Sequence, residues 1–205
     1  SRLYVYDYDS INVENKELAS IEECFHYIDT PAVSWINVDG LKKLDVEAIC
    51  GNYGIHNLII EDILSQGQRA KTDEINGVLF SLMNMLYFNK KDSAVEVEQI
   101  SIVLGKNFVI SFQEDAQRDV FTALREKLKN SGGKLRQRGA EYLCYMLLDM
   151  IVDHYFIVME KLGERIEDVE EEVVTGGSTR ALSDITHLRK ELIILKRNIS
   201  PVREV

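Results

Sequence analysis

The stretch that most constrains this chain is Tyr142 to Met159, YLCYMLLDMIVDHYFIVM, inside a helix that the pattern predicts over Ala140–Val173. Only Asp149, Asp153 and His154 interrupt it with ionisable acid or imidazole groups. A helix apolar on all sides is expected to bury both faces. A membrane span needs about 20 residues with few or no charges. Two aspartates near the middle argue instead for a buried helix of a soluble domain. Asp149 and Asp153 are four apart and share one face, with Tyr142, Tyr145 and Phe156 along the same stripe. A buried carboxylate needs a partner, since leaving it unpaired costs several kcal/mol or more. An arginine, a backbone amide or a metal ion would each serve, and a hydrogen-bonded core aspartate is the plainest outcome.

The remainder of the chain narrows the partners. Lys plus Arg is 24 against 34 Asp plus Glu, a net charge of -10 over 205 residues. That balance argues against nucleic acid and anionic membrane surfaces as partners and favours cations as ligands. Cys24, Cys50 and Cys144 are isolated and odd in number, which predicts reduced thiols. There is no CxxC, no HExxH and no glycine-rich phosphate loop, and no signal-peptide pattern. The longest uncharged run, Ile75 to Asn89, has 15 residues, too few to span a bilayer.

Taken in order, Leu3 to Tyr8 alternates as a strand, and Ser20 to Ile28 reads as a short amphipathic helix capped by Ser20 and ended by Thr30-Pro31. Val33 to Val38, with the only tryptophan, Trp35, is a second strand closed by Asp39-Gly40. Helices are expected over 43–53 and Asn57 to Ser65, the latter holding Glu61-Asp62 within LIIEDIL. Asn76-Gly77 is a type I′ hairpin signal. The strand after it, Val78 to Phe88, is apolar on both faces and is expected to be central. Turns at 89–92 and 105–107 lead into Val95 to Leu104 and Phe108 to Gln113, completing a four-strand antiparallel meander. Together these predict an α/β class, a mixed and largely antiparallel sheet covered by helices on both faces. A helix over Arg118–Lys129, ended by Ser131-Gly132-Gly133, completes a first domain over residues 1–138.

Residues 139–205 form the second unit. Past the apolar stretch, Leu162, Ile166, Val169 and Val173 keep a helical stripe while Glu160, Glu164, Glu167, Asp168 and Glu170 to Glu172 fill the other faces. Thr175-Gly176-Gly177-Ser178 reads as a connection, with Ser178 or Thr179 as the next cap. Ile185, Leu188, Leu192, Leu195, Ile199 and Val202 then repeat as a coiled-coil seam, so an antiparallel helix hairpin is expected, kinked at Pro201. A chain that begins SRLYVYD without methionine, and a seam that runs to Val205, give the expectation of a piece of something longer.

WINVDGL at Trp35–Leu41, YGIHNLIIEDIL at Tyr53–Leu64, QRAK at Gln68–Lys71 and EVEQISIVLGKNFVISFQE at Glu96–Glu114 resemble the cytoplasmic domain of CorA-type magnesium transporters. So do YLCYMLLDMIVDHYF at Tyr142–Phe156 and PVREV at Pro201–Val205, and all six fall in the family's order. Ala70 replaces the proline usual after Gln-Arg, and Gly67 stands where some members carry histidine. The resemblance implies an α/β/α sandwich, an acidic antiparallel helix hairpin and the start of a long stalk helix. It further implies a funnel-shaped homopentamer at the cytoplasmic side of the inner (plasma) membrane, with the membrane region of a multi-pass protein beyond this chain.

By the same resemblance, regulatory magnesium binds between neighbouring subunits through Glu61, Asp62 and Asp149, with a further carboxylate beyond Val205, so binding to this chain alone is expected to be weak. Asp153 joins the candidates because it shares a helix face with Asp149. Glu61 and Asp62 are adjacent on their helix and diverge by about 100°, so one can face the core while the other faces a neighbour. Alone, the pair would read as a solvated helix face. The leading expectation is therefore a magnesium-sensing and gating domain for uptake of magnesium, or of cobalt or nickel, without enzymatic activity. The isolated chain is expected to be a monomer or a weak oligomer. A related zinc transporter is the first rival, although His26, His56, His154 and His187 form no ligand spacing. A metal-dependent hydrolase would need a nucleophile, base and oxyanion stabiliser that the sequence does not supply. A coiled-coil adaptor would leave the aspartates unexplained.

Overall fold

The computed structural model describes residues 1–130, 133–176 and 179–205. Seven strands form one sheet: β1 (Arg2–Tyr8), β2 (Val13–Leu18), β3 (Val33–Asp39), β4 (Lys71–Ile75), β5 (Val78–Asn89), β6 (Ala94–Leu104) and β7 (Phe108–Gln113). Their order is β2-β1-β3-β7-β6-β5-β4. Every pairing is antiparallel except β3 with β7. The expected meander is present, and Asn76 takes the positive φ of 55° that its turn requires. β5 is not central. It lies one strand from the edge, and its middle is buried because helices cover both of its faces.

Alternation along the strands sorts two cores. Ile36, Val38, Phe80, Leu82 and Ile110 face α1 (Lys43–Asn52), α2 (Asn57–Leu64) and a three-ten helix at Glu22–Asp29. Trp35, Met83, Met85, Ile102 and Val109 face α3 (Thr122–Lys129) and α4 (Ala140–Val174). α5 (Thr179–Ile199) then folds back along α4, giving the helix hairpin on an α/β/α sandwich.

Several local expectations change. β2, VENKEL, escapes the alternation rule because it is an edge strand with charged, exposed positions, a common protection against edge pairing. Ser20 caps nothing; the first helix is three-ten and begins at Glu22. α3 starts four residues late, after Asp119 accepts hydrogen bonds from the Phe121 amide at 2.9 Å and the Thr122 hydroxyl at 3.3 Å. Of the expected stop at Ser131-Gly132-Gly133 and the connection at 175–178, residues 131–132 and 177–178 lie outside the described residues.

The largest revision concerns α4. It passes the length and apolarity test for a membrane span, with mean hydropathy 1.4 over the best window, yet it lies along β5, β6 and β7. Leu143, Cys144, Leu147, Ile151, Tyr155, Val158 and Leu162 form its buried stripe, spaced as one helical face. The other face is open: Phe156 is 61% exposed and Tyr145 57%. Both faces were expected to be buried, and one is.

The hairpin seam is also rotated. Ala181, Leu188, Glu191 and Leu195 are buried, whereas Ile185 and Leu192 of the expected seam are exposed. Two polar contacts set this rotation. The Glu191 carboxylate accepts the Val95 amide at 2.6 Å, and His187 Nε2 lies 3.0 and 3.1 Å from the carbonyls of Asp92 and Ser93, so that nitrogen carries the proton. Arg165 of α4 meets Asp184 of α5 at 3.4 Å. At Pro201 the α-helix gives way to a three-ten turn over Ser200–Glu204 rather than a kinked continuation, and the proline ring is buried.

His154 of α4 stands edge-on to the Tyr87 ring at 5.6 Å. Burial, and then the charge of Lys161, hold its imidazole below the ordinary 6.5. The folded state therefore takes up its proton at lower pH than the unfolded chain does, and the stability this site contributes falls as pH drops below about 6.5. We expect His154→Gln to lose less stability than wild type between about pH 7.5 and 5.5 in parallel urea titrations. Equal losses would show that this imidazole does not couple to folding.

Candidate metal-binding carboxylates

α2 begins at His56, whose ring accepts the Leu58 amide at 3.1 Å as an N-cap. Ile59, Ile60 and Ile63 point into the sheet, which turns Glu61 outward into solvent and leaves Asp62 half-buried on the flank. Asp62 is not free. Lys71 at the start of β4 places its ammonium 2.7 Å from the carboxylate and 3.7 Å from Asp73. The end of α2 is held by two side-chain amides. Gln68 donates to the carbonyls of Asp62 (2.7 Å) and Ser65 (2.9 Å), and Gln99 donates to the same pair at 3.2 and 2.9 Å. The C-terminal carbonyls of a helix have no intrahelical partner, so this double cap fixes where Asp62 sits.

Asp149 and Asp153 lie on the outward side of α4. Asp149 is half-buried and Asp153 exposed, so neither is the enclosed core carboxylate expected from the sequence. Neither is ion-paired among the described residues. The stripe they share with Tyr145 and Phe156 is open, and just beyond it Val152, Tyr155, Phe156, Met159, Ile199 and Val202 line an apolar hollow of about 230 Å3.

The sheet separates the two pairs. α2 belongs to one core and α4 to the other, so Asp62 and Asp149 of one chain do not converge. Among the described residues no three His, Cys, Asp or Glu side chains gather as a metal cluster. What each chain offers is two separate carboxylate surfaces. A magnesium ion that keeps most of its waters needs only one or two carboxylates, the number each surface supplies. Sequence reasoning missed Lys71 as the counter-ion of Asp62 and Gln99 as its support. The first sat within the QRAK motif; the second carried no pattern of its own.

A family profile described as "CorA-like Mg2+ transporter protein" matches residues 31–205. The chain is 34% identical over 202 residues to the cobalt/magnesium transport protein CorA of Thermotoga maritima, covering 98% of this chain and 57% of that protein. It therefore spans little more than half of that relative's length. Among solved structures, the soluble domain of CorA from Methanocaldococcus jannaschii superposes with a TM-score of 0.75 at 17% identity, over 98% of this chain and 76% of that one. The ZntB cytoplasmic domain from Vibrio parahaemolyticus gives 0.67 at 12% identity, over 97% and 75%. These two similarities establish the fold that the strand order and helix hairpin describe. With most of its length matched by the family profile, the chain belongs to the CorA-like Mg2+ transporter family.

Proposed function

We propose that this chain is the cytoplasmic magnesium-sensing and gating domain of a divalent-cation channel or transporter that works as a homo-oligomer, a pentamer by family resemblance. The observation that carries the reading is the placement of Asp62 and Asp149 on opposite faces of one sheet, each on an accessible flank. Such a pair can share an ion only across a contact between copies. Magnesium held there, with Glu61 and Asp153 at the margins, screens the repulsion of facing acidic surfaces and favours a closed assembly. At an effective dielectric of about 20, like charges about 4 Å apart repel by about 4 kcal/mol. When magnesium falls, that repulsion loosens the contact and releases the pore. The ion shifts this equilibrium only because it binds the two arrangements unequally. Transport itself would lie in the membrane part that accompanies such domains.

Limited proteolysis of the chain with and without magnesium tests this reading. Protection by millimolar magnesium that Asp62→Ala and Asp149→Ala each weaken is the expected result; equal protection in all three removes these carboxylates from the sensor. Lys71 gives a second handle. Because its ammonium competes with any cation for Asp62, Lys71→Met should raise magnesium affinity by about 3- to 10-fold, or roughly 1 kcal/mol, in a calorimetric titration. Unchanged affinity would mean that magnesium does not approach the Asp62 carboxylate.

A further inference from the structure

The sheet divides the two cores, but at the outer edge of β5 a polar connection runs from one to the other. β4 begins at Lys71, opposite Leu82, so from Met83 onward β5 has no strand on that side. Asn84 lies in this stretch, buried, with Gln99 of β6 opposite it on the other side. A buried backbone carbonyl that has no strand beside it must find another donor. Tyr155 of α4 supplies one, its hydroxyl donating to the Asn84 carbonyl at 2.6 Å. The Asn84 side chain reaches the other way, Nδ2 donating to the Gln68 carbonyl at 2.9 Å. Gln68 in turn donates to the Asp62 and Ser65 carbonyls that close α2. Four residues thus join the buried side of α4, six positions after Asp149, to the helix end that carries Asp62.

Such a series transmits an effect only where a member has two arrangements. The end of α2 offers them. Gln99 is buried and donates to the Asp62 and Ser65 carbonyls from the sheet. Gln68 donates to the same two carbonyls from the connection, half-buried between the exposed Gly67 and Arg69. With Gln68 seated, the last turn of α2 has two side-chain donors; with Gln68 released, it has one. What seats Gln68 is Asn84, and Asn84 is held by Tyr155.

We infer that Tyr155 is a positioning residue for Asp62: through Asn84 and Gln68 it holds the end of α2 from the opposite face of the sheet. A displacement of α4 then loosens the turn that sets Asp62 beside Lys71. The regulatory consequence rests on the magnesium reading above. An ion or a neighbouring copy that moves α4 at Asp149 changes the affinity at Asp62, and binding at Asp62 changes the affinity at Asp149 by the same factor.

Amide hydrogen exchange, followed by NMR on the 205-residue chain in magnesium-free buffer, tests the coupling without requiring metal. The Ser65 amide, bonded to the Glu61 carbonyl at 3.0 Å, reports the last turn of α2. The Tyr53 amide, bonded to the Ile49 carbonyl at 3.1 Å at the end of α1, is the control in the same core. Tyr155→Phe removes one oxygen and keeps the ring. It should speed exchange at Ser65 by about 3- to 10-fold and leave Tyr53 unchanged, as should Gln68→Leu. The two act in series, so the double variant should exceed the larger single effect by less than about 2-fold. No change at Ser65 in Tyr155→Phe, equal acceleration at Tyr53, or fully additive effects in the double variant would each overturn the inference. Calorimetry with magnesium chloride on the same proteins separates the two proposals: a wild-type chain that takes up no magnesium but shows this exchange pattern rejects the sensor and keeps the coupling.

Discussion

Trp35→Ala should destabilise the chain by about 3–5 kcal/mol, the largest effect expected of any single truncation. The indole is fully buried between sheet and α3, edge-on to Phe121 at 6.0 Å and tilted against Tyr6 at 5.5 Å. Its Nε1 donates to Ser111 Oγ at 2.9 Å, and that hydroxyl donates to Asn37 Oδ1 at 2.7 Å, joining β3 to β7 where the sheet is parallel. Truncation opens a large cavity and removes the donor to a buried hydroxyl. Trp35→Phe keeps most of the apolar area and loses the hydrogen bond, so a cost nearer 1 kcal/mol is expected for that term. Because Trp35 is the only tryptophan, urea unfolding is best followed by far-ultraviolet circular dichroism. Equal stability of Trp35→Ala and wild type would contradict this packing.

The second large effect separates the two faces of α4. Leu147 is fully buried against the sheet, and Leu147→Ala should cost about 2–5 kcal/mol. Phe156, two and a half turns on, is 61% exposed, and Phe156→Ala should change the stability of the monomer by about 0.5 kcal/mol or less. A helix buried all round would lose heavily at both positions. Similar large losses in both variants would restore the reading that the hydropathy of this segment invites.

That contrast shows where sequence was and was not sufficient. The meander was legible because Asn76-Gly77 and the uninterrupted apolar run of β5 admit few alternatives. Helices on both faces of the sheet were expected, and neighbouring strand residues such as Trp35 and Ile36 fall into the two cores on either side of it. β2 was invisible because an edge strand can be polar throughout most of its length. The burial of α4 was overestimated because hydropathy reports what a face can bury, not whether this chain supplies a partner for it. The hairpin seam was turned by Glu191 and His187, polar residues that heptad counting scores as surface. The candidate carboxylates were found through their motifs, yet their relation was not. Only the sheet between α2 and α4 shows that Asp62 and Asp149 of one chain lie on different faces.

This separation makes assembly the most direct readout of the central claim. Sedimentation velocity of the chain, with and without millimolar magnesium and beside an Asp62→Ala Asp149→Ala double variant, should show magnesium-dependent association in wild type that the double variant loses. Association of both proteins to the same extent would contradict a magnesium sensor built from these two carboxylates.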